Sequence, residues 1–264
     1  MIHEAAWPQG TPAWVDITVP DRNAAMAFYG PLFGWDFVEG GPDMGFYTMA
    51  TRHGQVVAGI GEPMGGDNLP PAAWTTYLAT DDVDATVEIA AAAGATVLMA
   101  PIAVMGFGRM ALLVDPAGAV VGLWQSGSHT GANLVNEPGG LIWTEGLSHD
   151  LAGARQFYGT VFRYTFDDMS AAGFDYAAVN LDGRTVGGLG GTGSMLVEAP
   201  PHWQVYFAVG DTDAATARAV TLGAAVLVGP RDSPHGRLAI LSGPAGEQFT
   251  LISTTEPESP DAPA

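Results

Sequence analysis

The chain has 264 residues, nearly half of them hydrophobic, and a formal net charge of −19. Such a composition supports packed cores and excludes general disorder, while the negative charge repels phosphate backbones and anionic membranes. There is no cysteine and all nine basic residues are arginine, which rules out disulfides, thiolate chemistry and a lysine Schiff base.

In chain order, the opening stretch MIHEAAWPQG lacks a basic segment followed by an apolar run, so no secretory leader is expected. No later apolar run reaches the roughly 18 residues of a membrane span, and a cytoplasmic location is expected. WVDITV then predicts a strand, with Trp14, Asp16 and Thr18 on one face and Val15, Ile17 and Val19 on the other. Asp21 is placed to cap a helix that repeats Ala25, Phe28 and Leu32 at helical spacing. GFYTMA and QVVAGI read as strands, with His53 in an exposed turn between them. TTYLATDDVDATVEIAAAAGA gives a second strand, acidic cap and helix, followed by the strands ATVLMA, RMALLV and AVVGLW.

The landmarks then recur. Trp14, Phe28, Tyr29, Phe33, Tyr47, Gly54, Trp74 and Tyr77 return 129 positions later as Trp143, Phe157, Tyr158, Phe162, Tyr176, Gly183, Trp203 and Tyr206. One deletion changes the offset to 128, which pairs Gly108 and Arg109 with Gly236 and Arg237, and the PAG at Pro116 with that at Pro244. Register held over such a length marks two homologous domains, residues 1–128 and 129–264. A Gly/Asn/Ser-rich linker spans residues 125–140, and the acidic, proline-rich tail from about residue 254 is expected to be disordered. GLGGTG, beginning at Gly188, formally fits a dinucleotide fingerprint, but prolines rather than a helix follow, so it reads as a connector. The expected class is α+β, with four βαβββ modules.

The order of elements, the D-x-x-x-A-x-x-F-Y pattern from Asp21 to Tyr29, its echo at Phe157, and DPAG at Asp115 with GPAG at Gly243 resemble the vicinal oxygen chelate superfamily. That superfamily includes glyoxalase I, bleomycin-resistance proteins and extradiol dioxygenases. The two-domain actinobacterial members of the 27-kDa-antigen type are the nearest in pattern, sharing LVNE at Leu134 and IW at Trp143. The resemblance implies that paired modules form a cup-shaped half-barrel with helices outside. It also implies, for the metal enzymes, a histidine early in a module's first strand and a glutamate on its last. Those slots fall on Trp14, Thr75, Trp143 and Gln204, and on Gly59, Gly122, Gly188 and Thr250. None holds a histidine or glutamate, so neither a metal nor another cofactor is expected, and the six histidines form no spaced ligand set.

The candidate site follows from strand alternation. Trp14 and Trp143 should floor the cups, with Asp16 and Glu145 beside them as candidate acid–base groups. Tyr77 and Tyr206 share the face of Thr75 and Gln204, and Thr18, Gly122 and Thr250 complete the linings. His235, in the SPHGR loop, should lie near a rim. Packing with satisfied hydroxyls is the competing reading of the tyrosines, and a structural carboxylate that of Asp16. Two functions follow. One is a metal-free binding protein for a flat aromatic metabolite or antibiotic. The other is a metal-independent lyase, isomerase or cyclase using Asp16 or Glu145. The empty slots argue against a metal-dependent oxygenase or glyoxalase. A monomer or homodimer is expected, with no nucleic-acid or membrane partner.

Overall fold

A computed structural model describes residues 1–63 and 71–253, apart from the side chain of Thr192. The tail expected to be disordered lies outside the described residues.

The elements follow the repeated pattern. The first module holds β1 (Pro12–Thr18), α1 (Arg22–Phe33), β2 (Asp36–Glu39), β3 (Thr48–Arg52) and β4 (Gln55–Gly61). The second holds β5 (Ala73–Ala79), α2 (Val83–Ala92), β6 (Thr96–Val104), β7 (Gly108–Val114) and β8 (Val120–Ser126). The third holds β9 (Leu141–Leu147), α3 (Leu151–Phe162), β10 (Thr165–Asp168), β11 (Tyr176–Leu181) and β12 (Arg184–Gly190). The fourth holds β13 (His202–Ala208), α4 (Thr212–Thr221), β14 (Ala225–Ser233), β15 (Gly236–Ser242) and β16 (Gln248–Ser253).

Each helix starts at an aspartate. Asp21, Asp82, Asp150 and Asp211 accept hydrogen bonds from the backbone N–H three residues on, at 2.9–3.1 Å, which satisfies a donor that the first helical turn leaves unpaired. The sequence pattern does not reveal β2 and β10, because both are four residues long and largely exposed. It also starts β3 too early: a 3-10 turn at Pro42–Met44 and the left-handed Phe46 (φ 58°) delay the strand to Thr48. The expected glycine connector is corrected too, since Gly188 and Gly190 belong to β12.

The strands form two open eight-stranded sheets, ordered β2-β3-β4-β1-β5-β8-β7-β6 and β10-β11-β12-β9-β13-β16-β15-β14. Within a module the first strand pairs in parallel with the last. The two modules of a sheet meet through the antiparallel pairs β1–β5 and β9–β13. The helices cover the outer faces, and these faces pack against each other. One core joins Val15, Ile17 and Phe28 of the first module to Phe207, Ala219 and Phe249 of the fourth. The other joins Leu78, Val83 and Leu123 of the second to Phe157, Tyr158 and Leu189 of the third.

The tyrosines of the repeated Phe-Tyr pairs clasp this interface. Tyr158 donates to Asp115 Oδ2 at 2.9 Å and accepts from Trp203 Nε1 at 2.8 Å. Tyr29 donates to Glu247 Oε1 at 2.7 Å and accepts from Trp74 Nε1 at 3.2 Å. The two PAG turns reach this result differently. Asp115 precedes its PAG, whereas Glu247 follows the other and stands where Ala119 does in the first domain. Gly243 makes this exchange feasible: a Cβ there would lie 2.1 Å from Glu247 Oε1.

Candidate functional site

Alternation along β1 and β9 decides which side chains meet. Val15 and Ile17 turn to the helices and are fully buried, which sends Trp14 and Asp16 to the concave face. Register carries the rest. Trp14 pairs with Tyr77, Asp16 with Thr75 and Gly59, and Tyr77 with Gly122. In the second sheet Trp143 pairs with Tyr206, Glu145 with Gln204 and Gly188, and Tyr206 with Thr250. Thr18 sits on the concave face at the end of β1, opposite Ala73, and His235 is exposed at the β14–β15 turn.

Each concave face holds the same four-residue network. Tyr47 and Tyr77 donate to Asp16 Oδ2 at 3.0 and 3.2 Å, and Trp14 Nε1 donates to the Tyr47 hydroxyl at 3.2 Å. Tyr176 donates to Glu145 Oε2 at 2.8 Å, Tyr206 donates to Glu145 Oε1, and Trp143 Nε1 donates to the Tyr176 hydroxyl at 3.1 Å. Burial pushes the Asp16 carboxyl up to about 6, against the two tyrosine bonds that lower it. Burial also raises Glu145, against its bonds to Tyr206 and Tyr176. Glycines make the networks fit: a Cβ on Gly59 would stand 1.8 Å from the Tyr47 hydroxyl, and one on Gly188 1.9 Å from that of Tyr176. Tyr47 and Tyr176 recur visibly in the sequence, but only the sheet pairing brings them to the carboxylates.

A model of the glyoxalase/bleomycin resistance protein/dioxygenase superfamily matches residues 11–123, and a glyoxalase-like domain model matches residues 146–252. CFP32 of Mycobacterium tuberculosis is 42% identical over 259 residues, covering 96% of this chain and 98% of that protein. The chain belongs to the glyoxalase/bleomycin resistance protein/dioxygenase superfamily. A second relative in this superfamily is the anthracycline biosynthesis protein DnrV of Streptomyces peucetius, 38% identical over 263 residues and covering 94% of each chain. Among solved structures, the Mn(II)-bound glyoxalase from Novosphingobium aromaticivorans superposes with a TM-score of 0.65 at 17% identity, over 94% of this chain and 83% of that one. That match is a likeness of fold.

The superfamily's metal enzymes raise the question of a metal here, and the donor set does not fit one. Two slots hold tryptophan and three hold glycine, two of which are covered by tyrosine hydroxyls. A Cβ on Gly122 would strike the Tyr77 ring at 2.1 Å, so a longer side chain has no room there. Among the described residues no three His, Cys, Asp or Glu side chains gather where they could hold a metal ion.

The two cups differ in what covers them. The stretch expected to be a linker runs back into the first cup. The backbone N–H groups of Ala132 and Asn133 donate to Ala13 and Val56 carbonyls at 2.8 and 2.7 Å. Trp124 Nε1 donates to the His129 carbonyl at 3.0 Å, and Trp7 Nε1 donates to that of Ala132 at 3.3 Å. The His129 ring meets the Trp14 indole edge-on with centroids 4.5 Å apart, and burial pushes its pKa down to about 4. Trp14 is left 3% exposed. The expectation of an open first cup is thereby corrected: apolar Ala132 and Val135 complete its packing. Trp143, Tyr176 and Tyr206 in the second cup are only half-buried.

A polar strip also sets the second cup apart. His202 Nε2 lies 3.0 Å from Gln204 Oε1, which also accepts from Gln248 Nε2 at 2.7 Å. Gln204 Nε2 donates to Thr250 Oγ1 at 2.9 Å, and Thr250 is the strand partner of Tyr206. Hydrogen bonds thus run from half-buried His202 to Thr250, beside the Tyr206 that donates to Glu145. The matching positions in the first cup, Ala73, Thr75, Val120 and Gly122, carry no such strip. Sequence reasoning missed His129, His202 and Gln248. For the last two the repeat alignment held a usable signal, since polar residues stand where the first domain has alanine and valine.

Proposed function

We propose that the second cup binds a flat, largely apolar aromatic metabolite without a metal. The observation that carries this reading is the contrast between two copies of one network. In the first cup Trp14 and Tyr77 are buried beneath His129 and the returning chain, whereas their counterparts Trp143 and Tyr206 are only half-buried in the second, where a polar strip adjoins them. Indole and phenol rings offer an apolar platform, and Glu145 with its tyrosines offers hydrogen bonds to a phenol or quinone oxygen. The relative named for anthracycline biosynthesis supports this class, since anthracyclines are flat fused-ring phenols. On this reading the chain acts in the cytoplasm as a monomer or homodimer. Among the described residues no helix is long and apolar enough to cross a membrane.

Alizarin, a fused-ring phenol, tests the reading. Titrated into the chain, it should quench tryptophan fluorescence saturably at one site. Trp143→Ala or Tyr206→Phe should weaken binding, and Trp14→Phe should not. Equal binding by all three variants would overturn the assignment.

A second reading rests on the raised pKa of Glu145. A carboxyl whose pKa burial raises is better suited to proton transfer than a free one, as in a metal-independent lyase, isomerase or cyclase. Glu145→Gln would then abolish turnover while leaving ligand bound.

A further inference from the structure

Outside both cups, a cleft of about 510 Å³ opens between the amino-terminal arm and the second sheet. Trp7 and Thr11 line the arm side; Trp143, Thr144 and Arg184 line the side made by the starts of β9 and β12. His3 stacks on Trp7 with ring centroids 3.7 Å apart. A cleft of this size holds a small organic molecule.

Its walls carry an unusual concentration of unmet hydrogen bonds. Seven buried side-chain polar atoms among the described residues have no hydrogen-bond partner, and three belong to this lining: His3 Nε2, Thr11 Oγ1 and Thr144 Oγ1. Thr11 is 8% exposed and Thr144 2%. Buried polar groups are nearly always paired, so three orphans around one cleft call for partners from outside the chain. Arg184 stands exposed at the mouth, and no described carboxylate pairs with it. In a chain of net charge −19, a free guanidinium beside two indoles is a local exception that favours an anion.

We propose that this cleft is a binding site for a flat aromatic carboxylate. The ring lies against Trp7 and Trp143, the carboxylate meets Arg184, and a ring hydroxyl or carbonyl meets the threonines. Trp143 is the residue the cleft shares with the second cup; Glu145, Tyr176 and Tyr206 do not line it.

Calorimetric titration of the full chain with hydroxynaphthoate, an aromatic acid with a neighbouring hydroxyl, tests this. A saturable component of binding that depends on Arg184 is expected, whether or not the second cup also takes up the probe. Arg184→Ala should weaken it about tenfold or more, the worth of a charge-assisted hydrogen bond. Arg184 is exposed, so this variant keeps the fold. Thr144→Val should weaken binding as well. Naphthol, without the carboxylate, should bind about tenfold less tightly than the acid and equally to the parent and Arg184→Ala. Glu145→Gln should leave the Arg184-dependent component of hydroxynaphthoate binding intact, which separates this site from the cup. The proposal is overturned if the folded chain gives no saturable binding, if Arg184→Ala binds as the parent does, or if Glu145→Gln abolishes the Arg184-dependent component.

Discussion

Replacing Asp16 by asparagine isolates the cost of keeping a carboxyl under the first cup. The amide keeps the size of the side chain and an oxygen for the hydroxyls of Tyr47 and Tyr77, but it cannot ionise. The native carboxyl titrates at about 6 against an ordinary 3.8, because burial outweighs the two tyrosine bonds. A folded pKa above the unfolded one means that folding favours the protonated form. The contribution to stability is therefore complete below about pH 3.8 and is lost as the pH rises through about 6. At 1.36 kcal/mol per pH unit the ceiling on this loss is about 3 kcal/mol, and partial solvent access to the residue lowers it to roughly 1–3 kcal/mol. The assay is urea unfolding of both proteins at a series of pH values from 4 to 8. The stability of Asp16→Asn relative to the parent should climb by that amount between pH 4 and 7 and then level off. A difference that stays flat across the range, or falls, would refute the reasoning. It would mean that Tyr47 and Tyr77 hold the carboxylate ionised in spite of burial.

Three further outcomes follow from the packing. Tyr29→Phe and Tyr158→Phe each remove a buried hydrogen bond to a carboxyl across the domain interface. Each should cost about 1.5–3 kcal/mol in denaturant unfolding, and the two losses should add if the clasps are independent. Gly59→Ala places a methyl 1.8 Å from the Tyr47 hydroxyl, so it should lower the melting temperature. Adding Tyr47→Ala should recover part of that loss, and no recovery would mean that the clash lies elsewhere. His129→Ala removes the ring covering Trp14, so acrylamide should quench more of the tryptophan emission than in the parent, and Trp14→Phe in that background should abolish the gain.

Much of this fold was legible because its determinants are local. An aspartate before each helix, alternating apolar positions in β1 and β9, and a 129-residue repeat register specify βαβββ modules wherever the chain is read. The same alternation placed Trp14 beside Asp16 and Trp143 beside Glu145, since a side-chain period of two needs only the strand itself. The glycines at positions 59, 122 and 188 were visible there too, though not the tyrosines that cover them. β2 and β10 escaped because four exposed residues carry too little periodicity to register.

The tertiary structure decided what those local signals could not. Glycine at position 59 has no meaning until Tyr47, just ahead of the neighbouring strand β3, lies over it. The Phe-Tyr pair reads as helix packing until the Tyr29 hydroxyl is found on Glu247, 218 residues away. Most of all, the repeat predicts two equal cups, and the fold makes them unequal. Residues 129–135 turn back into the first cup because Ala132, Val135 and the His129 ring find an apolar seat on Trp14, Trp7 and Trp124 there. A stretch rich in glycine, serine and asparagine has no periodic signal of its own. Its conformation is set by surface contributed from distant parts of the chain, which exists only once the first sheet has formed.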